Sequence, residues 1–308
     1  EPGWVVITLP NQLSAMFDRI LFPIDDSDGV AAVRDSVYAL AAAHDATLHV
    51  LNVADTAHDS VTRIGDQVVD ALEQTGEQLV AETARQAAER GISTQTAVIQ
   101  GGVAATITEY AETAEIDCIV MPTQGRKGIE ERLLGSTTER VSRETTVPLL
   151  TLRPDAAPLS TPIERLLVPT DGSDTAAAAL DVGIDLAVAD TSTLHLLSVV
   201  DTSLFGGDIQ AEQYADSLTE AATGITDDAR DRATAAGVGE VITAVEDDRS
   251  VAEGIRSYAA EAEADCIVVG THGRTGLDRY LLGSVTETLI RTSPVPVMVV
   301  PPSDRADR

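Results

Sequence analysis

Short runs of β-branched and other apolar residues alternate along the chain with longer, alanine-rich stretches. In the second half the short runs are RLLVPT (165–170), TLHLLSVV (193–200), EVITAV (240–245), DCIVVG (265–270) and VPVMVV (295–300). Runs this continuously apolar predict strands covered on both faces, the condition of a parallel sheet. Between them lie stretches such as DTAAAALDVGIDLAVA (174–189) and VAEGIRSYAAEAEA (251–264). These read as amphipathic crossover helices. The first half has matching runs near 19–24, 47–53, 94–99, 117–121 and 147–152. Strict alternation of five strands with four helices predicts a doubly wound α/β domain. Right-handed crossovers narrow the topology, and a parallel sheet of order 3-2-1-4-5 is expected in each half.

The two halves are one sequence written twice. RILFPIDDSDGVAAV from Arg19 returns as RLLVPTDGSDTAAAA from Arg165, 146 positions on, and DCIVMPTQGRKGIEERLLGSTTER from Asp117 returns as DCIVVGTHGRTGLDRYLLGSVTET from Asp265, 148 positions on. A two-residue insertion midway accounts for the difference. Each copy, at roughly 140 residues, is long enough to bury its own core, unlike a solenoid repeat. The expected domains are 17–153 and 163–301, with the proline-bearing segment 154–162 as linker and residues 1–15 as an extension or cloning remnant outside the fold. The last strand of each copy should lie at a sheet edge, and an apolar edge is a liability unless paired. The two edges are expected to pair antiparallel within the chain as an internal pseudo-dimer, and a homodimer is left open.

Charge narrows the partners. Twenty-one Lys and Arg face 50 Asp and Glu for a net charge of −29, and Lys127 is the sole lysine. Such a surface repels nucleic acid and anionic membranes. It suits a cytoplasm at molar salt, where screening shortens to about 3 Å, and an extreme halophile is expected. Cys118 and Cys266 stand at matching places inside apolar runs and read as buried, reduced thiols. With no apolar stretch near the ~18–20 residues of a span and no basic leader, a soluble cytoplasmic protein is expected.

Candidate chemistry gathers where the winding reverses, at the carboxyl ends of strands 1 and 4, the usual ligand crevice of such sheets. Strand 4 of the second copy ends at Gly270, followed by Thr271, His272, Gly273, nine residues, then Gly283 and Ser284. Glycine there allows close approach of a ligand. Gly283-Ser284-Val285-Thr286 opens a helix whose free N–H groups attract an anion, phosphate above all. Opposite stand Thr170 and Asp171, whose carboxylate can accept from ribose hydroxyls or from a metal's water shell. Arg126, Lys127, Arg274 and Arg279 flank the glycine loops and could meet phosphate. Asp28 and Asp174 read as caps of the first helix of each copy, and His49 and His195 as strand residues packed in the interior. DDSDG (25–29) lacks the glutamate an EF-hand needs, since position 36 is Ser36. No GxxxxGKS, HExxH or GxSxG sequence occurs.

On these repeats and this G-x2-G-x9-G-S spacing, each copy resembles a universal stress protein domain, and the whole a tandem universal stress protein, over nearly all of 17–301. The resemblance implies ATP, or AMP or ADP, bound with Mg or Mn. It implies that Asp171 holds the ribose, that Leu194 and Val269 wall the adenine, and that Gly270, His272, Gly273, Gly283, Ser284, Val285 and Thr286 line ribose and phosphates. The first copy keeps Asp25, Leu48, Gly125, Gly135, Ser136, Thr137 and Thr138, but Pro122 replaces Gly270 and Gln124 replaces His272. Proline has no N–H to give, so a weaker first site or an empty scaffold is expected. No catalytic residue or metal ligand is assigned, since nothing supplies an evident general base. A stress-response regulator gated by nucleotide is the first reading. A scaffold acting through its dimer surface, or a slow ATP hydrolase or adenylyl-transfer enzyme, is the alternative.

Overall fold

A computed structural model of the chain describes residues 16–55, 66–124, 134–202, 209–271 and 282–302. The segment 1–15, read above as an extension, lies outside them. The first half runs β1 (Arg19–Pro23), α1 (Asp28–Ala43), β2 (Thr47–Asp55), α2 (Asp66–Ala88), β3 (Thr94–Gly101), α3 (Val103–Thr113), β4 (Cys118–Pro122), α4 (Ser136–Glu144) and β5 (Leu149–Leu152). The second repeats it as β6 (Arg165–Pro169), α5 (Asp174–Asp190), β7 (Thr193–Asp201), α6 (Ile209–Ala235), β8 (Glu240–Asp248), α7 (Val251–Glu261), β9 (Cys266–Gly270), α8 (Ser284–Thr292) and β10 (Val297–Val300). Thr94 keeps to Glu240 the spacing that Arg19 keeps to Arg165, whereas Val103 to Val251 has the longer one. Judged by pairing, however, Thr94 matches Val241, since they face Leu48 and Leu194, so one extra residue precedes β8 and the other lies in the turn between β8 and α7.

The five-stranded sheet expected of each half is part of a larger one. A single sheet of ten strands runs β3-β2-β1-β4-β5-β10-β9-β6-β7-β8. It is parallel except at its centre, where β10 lies antiparallel to β5 in the register Val297↔Thr151, Met298↔Leu150, Val299↔Leu149. The Thr151 hydroxyl also donates to the Val297 carbonyl at 2.9 Å. An edge left open in one half is thus filled by the other, which removes two templates for aggregation at once.

The core explains why the halves join. On the face covered by α1, α2, α5 and α6, one buried cluster runs through both halves, from Phe22, Tyr38 and Leu48 to Leu166, Leu186 and Leu194. On the opposite face each half keeps its own cluster, under α3 and α4 in one and under α7 and α8 in the other. The segment 154–162 is not a free tether, because Leu159 is buried in the shared core and the Ala157 N–H donates to the Pro294 carbonyl at 3.1 Å. Two local corrections concern helix starts. Ser27 and Ser173, not Asp28 and Asp174, cap α1 and α5, accepting from the N–H groups of Val30 and Ala176. The aspartates are the first helical residues, where their charge still suits the helix dipole. Among the described residues, no helix is long and apolar enough to cross a membrane.

Candidate functional site

The two central strands of each half separate before they end. β6 pairs β9 only at Leu166↔Cys266 and Leu167↔Ile267, yet β6 continues to Pro169 and β9 to Gly270. The first half repeats this, with pairing of Ile20↔Cys118 and Leu21↔Ile119 alone. Beyond that point the neighbours pull each strand apart, since β6 stays in register with β7 through Pro169↔Leu197 and β9 with β10 through Gly270↔Val300. Backbone groups that would have closed the ladder face a crevice instead. Doubly wound sheets bind ligands at such a place.

One wall is the turn after β6. Thr170, 8 % exposed, donates its N–H to the Leu197 carbonyl at 2.8 Å, and its hydroxyl accepts from Gly172 at 3.3 Å. Gly172 has φ of +77°, a conformation open to glycine at little cost. Asp171 Oδ1 accepts from the Ser173 N–H at 3.0 Å, so part of this carboxylate is spent on shaping the turn. Asp25 does the same for Ser27 at 3.0 Å. Both aspartates are half-buried and keep an edge toward solvent.

The other wall is the start of α8. Gly283 donates its N–H to the Thr271 carbonyl at 2.8 Å, and Thr286, 2 % exposed, donates its hydroxyl to the Gly270 carbonyl at 2.7 Å. Gly135 and Thr138 make the same bonds, to Thr123 at 2.8 Å and to Pro122 at 2.9 Å. Thr286 and Thr138, expected to line phosphates, are clamps that hold helix to strand. Gly283 and Gly135, as N-caps, bring no side-chain hydrogen bond to the first turn, unlike Ser27, Ser173 and Ser250 on α1, α5 and α7. Gly102 on α3 lacks one too, so the bare cap marks a site only together with its place beside the crevice. Ser284 and Ser136 are exposed, and Val285 and Thr137 are half-buried. The acids in these first turns are paired along the helix, Glu287 with Arg291 at 3.2 Å and Glu139 with Arg143.

The halves differ where β4 and β9 end. A Cβ placed on Gly270 would lie 2.6 Å from the Thr175 carbonyl oxygen of α5. The first half meets the same contact from the other side. There the strand end is Pro122 and the helix residue matching Thr175 is Gly29, whose Cβ would lie 1.9 Å from the Gln124 carbonyl oxygen and 3.6 Å from Pro122 Cβ. The glycine at β9 therefore has a packing reason of its own, independent of any ligand. The donor argument persists. Ile267 and Thr271 bond β10 at 3.0 and 3.1 Å, so by alternation Gly270 turns its N–H to the crevice side, where Pro122 has none. In addition, the Gln124 backbone sits on α1 at the mouth of the first crevice.

Two expected adenine-wall residues are elsewhere. Leu194 and Leu48 are fully buried and level with Leu166 and Ile20, near the starts of the strands. That is three residues, or about 10 Å, below the carboxyl end of β6. The stretch of β7 that does pass beyond Pro169 is Ser198–Asp201, which the sequence reading did not single out. Its signal was available, because β7 is longer than β6 by four residues at that end. Val269 is 8 % exposed and packs under α7 and α8. Gly125, Arg126, Lys127, His272, Gly273, Arg274 and Arg279 lie outside the described residues.

The histidines and cysteines of the strands lie in the interior. His49 and His195 are buried in β2 and β7, each with Nδ1 at a tyrosine hydroxyl, Tyr110 at 3.0 Å and Tyr258 at 3.1 Å. Burial holds both imidazoles below their usual range. Burial likewise pushes the Cys118 and Cys266 thiols up to about 12, which leaves them unreactive. Among the described residues, no group of three or more His, Cys, Asp or Glu could hold a metal ion.

Comparison with known proteins agrees with the repeat. The profile of the Universal stress protein family matches residues 16–153 and again 162–301. A universal stress protein of Methanocaldococcus jannaschii is 34% identical over 143 residues, which is 44% of this chain and 81% of that protein. The crystal structure of a universal stress protein from Archaeoglobus fulgidus superposes with a TM-score of 0.71, covering 93% of this chain and 99% of the other at 23% identity. A functionally unknown protein from Pseudomonas aeruginosa does so at 0.63, with 94% and 95% covered and 18% identity. At those identities the likeness is one of fold, and it extends to both halves together.

Proposed function

The chain belongs to the universal stress protein family, as a tandem of two such domains, and from that premise we propose that it binds ATP with Mg or Mn in the crevice of its second half. The observation that carries this reading is the broken ladder between β6 and β9, with the uncapped first turn of α8 beside it. Backbone N–H groups at Gly270 and α8 suit a phosphate chain, and the Asp171 turn suits a ribose. The divalent cation offsets phosphate charge that a protein of net charge −29 would otherwise repel. When bound, it would shield the phosphates, while the chain's own residues orient the nucleotide.

Occupancy, rather than fast turnover, is the proposed output, in a cytoplasmic regulator that touches neither nucleic acid nor membrane. AMP and ADP compete for the same crevice with fewer phosphate contacts. The first half is proposed as a poor site, because Pro122 lacks the donor and Gln124 covers the mouth. A scaffold reading is favoured by one observation, the packing reason for Gly270.

Calorimetry with MgATP in molar KCl tests the proposal. One site per chain is expected, and Gly283→Val should abolish it while Gly135→Val leaves it intact. Loss of one or two charge-assisted hydrogen bonds, about 1.5–3 kcal/mol each, corresponds to at least roughly tenfold weaker binding. Binding lost in Gly135→Val alone would put the site in the wrong half, and no heat with any adenine nucleotide would leave the scaffold.

A further inference from the structure

His44 and Asp190 are the same position in the two copies, separated by the 146 residues that separate Arg19 from Arg165. They also meet. His44 Nε2 lies 3.8 Å from Asp190 Oδ1, with side chains only 3% and 8% exposed, where α1 and α5 end. Each is followed by a residue of positive φ, Asp45 at 52° and Thr191 at 60°, so the local backbones match as well. A residue that touches its own counterpart stands on the axis relating the halves.

The surroundings have diverged around this point. Phe17 presses against the His44 ring edge-on, centroids 5.0 Å apart. At the matching place in the second half, the Ile163 N–H donates to Asp190 Oδ2 at 2.8 Å, and the Ser192 hydroxyl donates to the Ile163 carbonyl at 2.6 Å. The carboxylate is anchored from behind and presents its other oxygen to the imidazole, whose Nε2 has no hydrogen-bond partner. In an assembly of two identical halves an axial position can meet only itself. Fusion of two copies in one chain lifts that restriction.

We infer that His44 and Asp190 form a pairing code at the axis, selecting the unlike half of the sheet as partner and rejecting a second copy of the same half. Two first halves would set His44 against His44 in a dry interior. Two second halves would set Asp190 against Asp190, a buried like-charge contact without compensation. Only unlike halves put a carboxylate beside an imidazole, where the Asp190 charge works against the burial that holds the His44 imidazole below its usual range. The sheet junction offers less to choose by, since β5 and β10 are aliphatic but for Thr151, whose hydroxyl on the Val297 carbonyl is the one side-chain hydrogen bond described between the two strands.

Full-length single variants recreate the rejected axes: Asp190→His gives the first-half pair, His44→Asp the second-half pair, and His44→Asp with Asp190→His restores an unlike pair in reverse. Thermal melting in molar KCl should show each single variant falling by about 5 °C or more, and the double variant recovering at least half of the larger loss. If a single variant fails to fold, folding of the double variant alone supports the code. Single variants as stable as the parent overturn it, as does a double variant whose loss equals the sum of the two, because independent sites add.

Discussion

Gly270 and Gly29 answer one steric demand from opposite sides. A strand end must pass the first turn of a helix, and one of the two residues must give up its side chain. The second half gives it up on the strand, the first half on the helix. Read from sequence, Pro122 in place of Gly270 is only a lost donor; with Gly29 beside it, the substitution is one half of a compensated exchange. The buried histidines make a second point at this scale. Burial holds the His49 and His195 imidazoles low, so the unfolded chain takes up protons more readily than the folded one. Stability from these groups is full above about pH 6.5, the unfolded value, and falls as the pH drops below it. Melting temperatures between pH 7.5 and 5 should decline, and His49→Gln with His195→Gln should flatten the slope. An unchanged slope would mean that other groups control acid sensitivity.

Elements carry the next level. β5 and β10 are four residues each, too short to be secure as edges, and each is fully buried. Val297 faces β5, since its neighbours Pro296 and Val300 accept from β9. Val297→Pro would remove a ladder donor and place a ring at the junction. A loss of about 3 kcal/mol or more is expected, read by urea denaturation in molar KCl. The loss should come with earlier proteolysis at the join, and a variant as stable as the parent would speak against the junction as a source of stability. α4 and α8 illustrate a subtler matter. Thr138 and Thr286, each the third residue of its helix, stand among the expected phosphate-lining residues because they follow Gly-Ser-Thr and Gly-Ser-Val. In space their hydroxyls are consumed in docking helix to strand.

At the scale of the molecule, charge and core pull in different directions. Fifty acidic residues against 21 basic ones leave a net −29 on a body held together by one shared core and a four-residue junction. Among the described residues, most arginines are already engaged in ion pairs, largely exposed ones such as Arg85 with Glu82 and Arg256 with Glu253, which contribute little each. Self-repulsion is left to the solvent to screen. Screening shortens from about 10 Å at 0.1 M to about 3 Å at 1 M salt, so the melting temperature should rise between 0.1 and 2 M KCl by calorimetry. A flat response would show that the acidic surface is not a stability term.

The sequence by itself determined the repeat, the α/β alternation and the places where glycine and aspartate gather, because these rest on local periodicity and on residues with few conformational choices. It marked Thr170, Asp171, Gly270 and Gly283, which the fold does bring to one crevice. It misplaced Leu194 and Leu48, since position along a strand sets depth in the sheet only once register is known. It could not give the partners of the Thr286 and Thr138 hydroxyls for a like reason: a donor's partner is a neighbour in space, here sixteen residues away. Only the tertiary structure decided that one core runs through both halves, that Gly29 answers Pro122, and that His44 meets Asp190. Each of those facts depends on long-range packing between segments tens to more than a hundred residues apart, which no local pattern encodes.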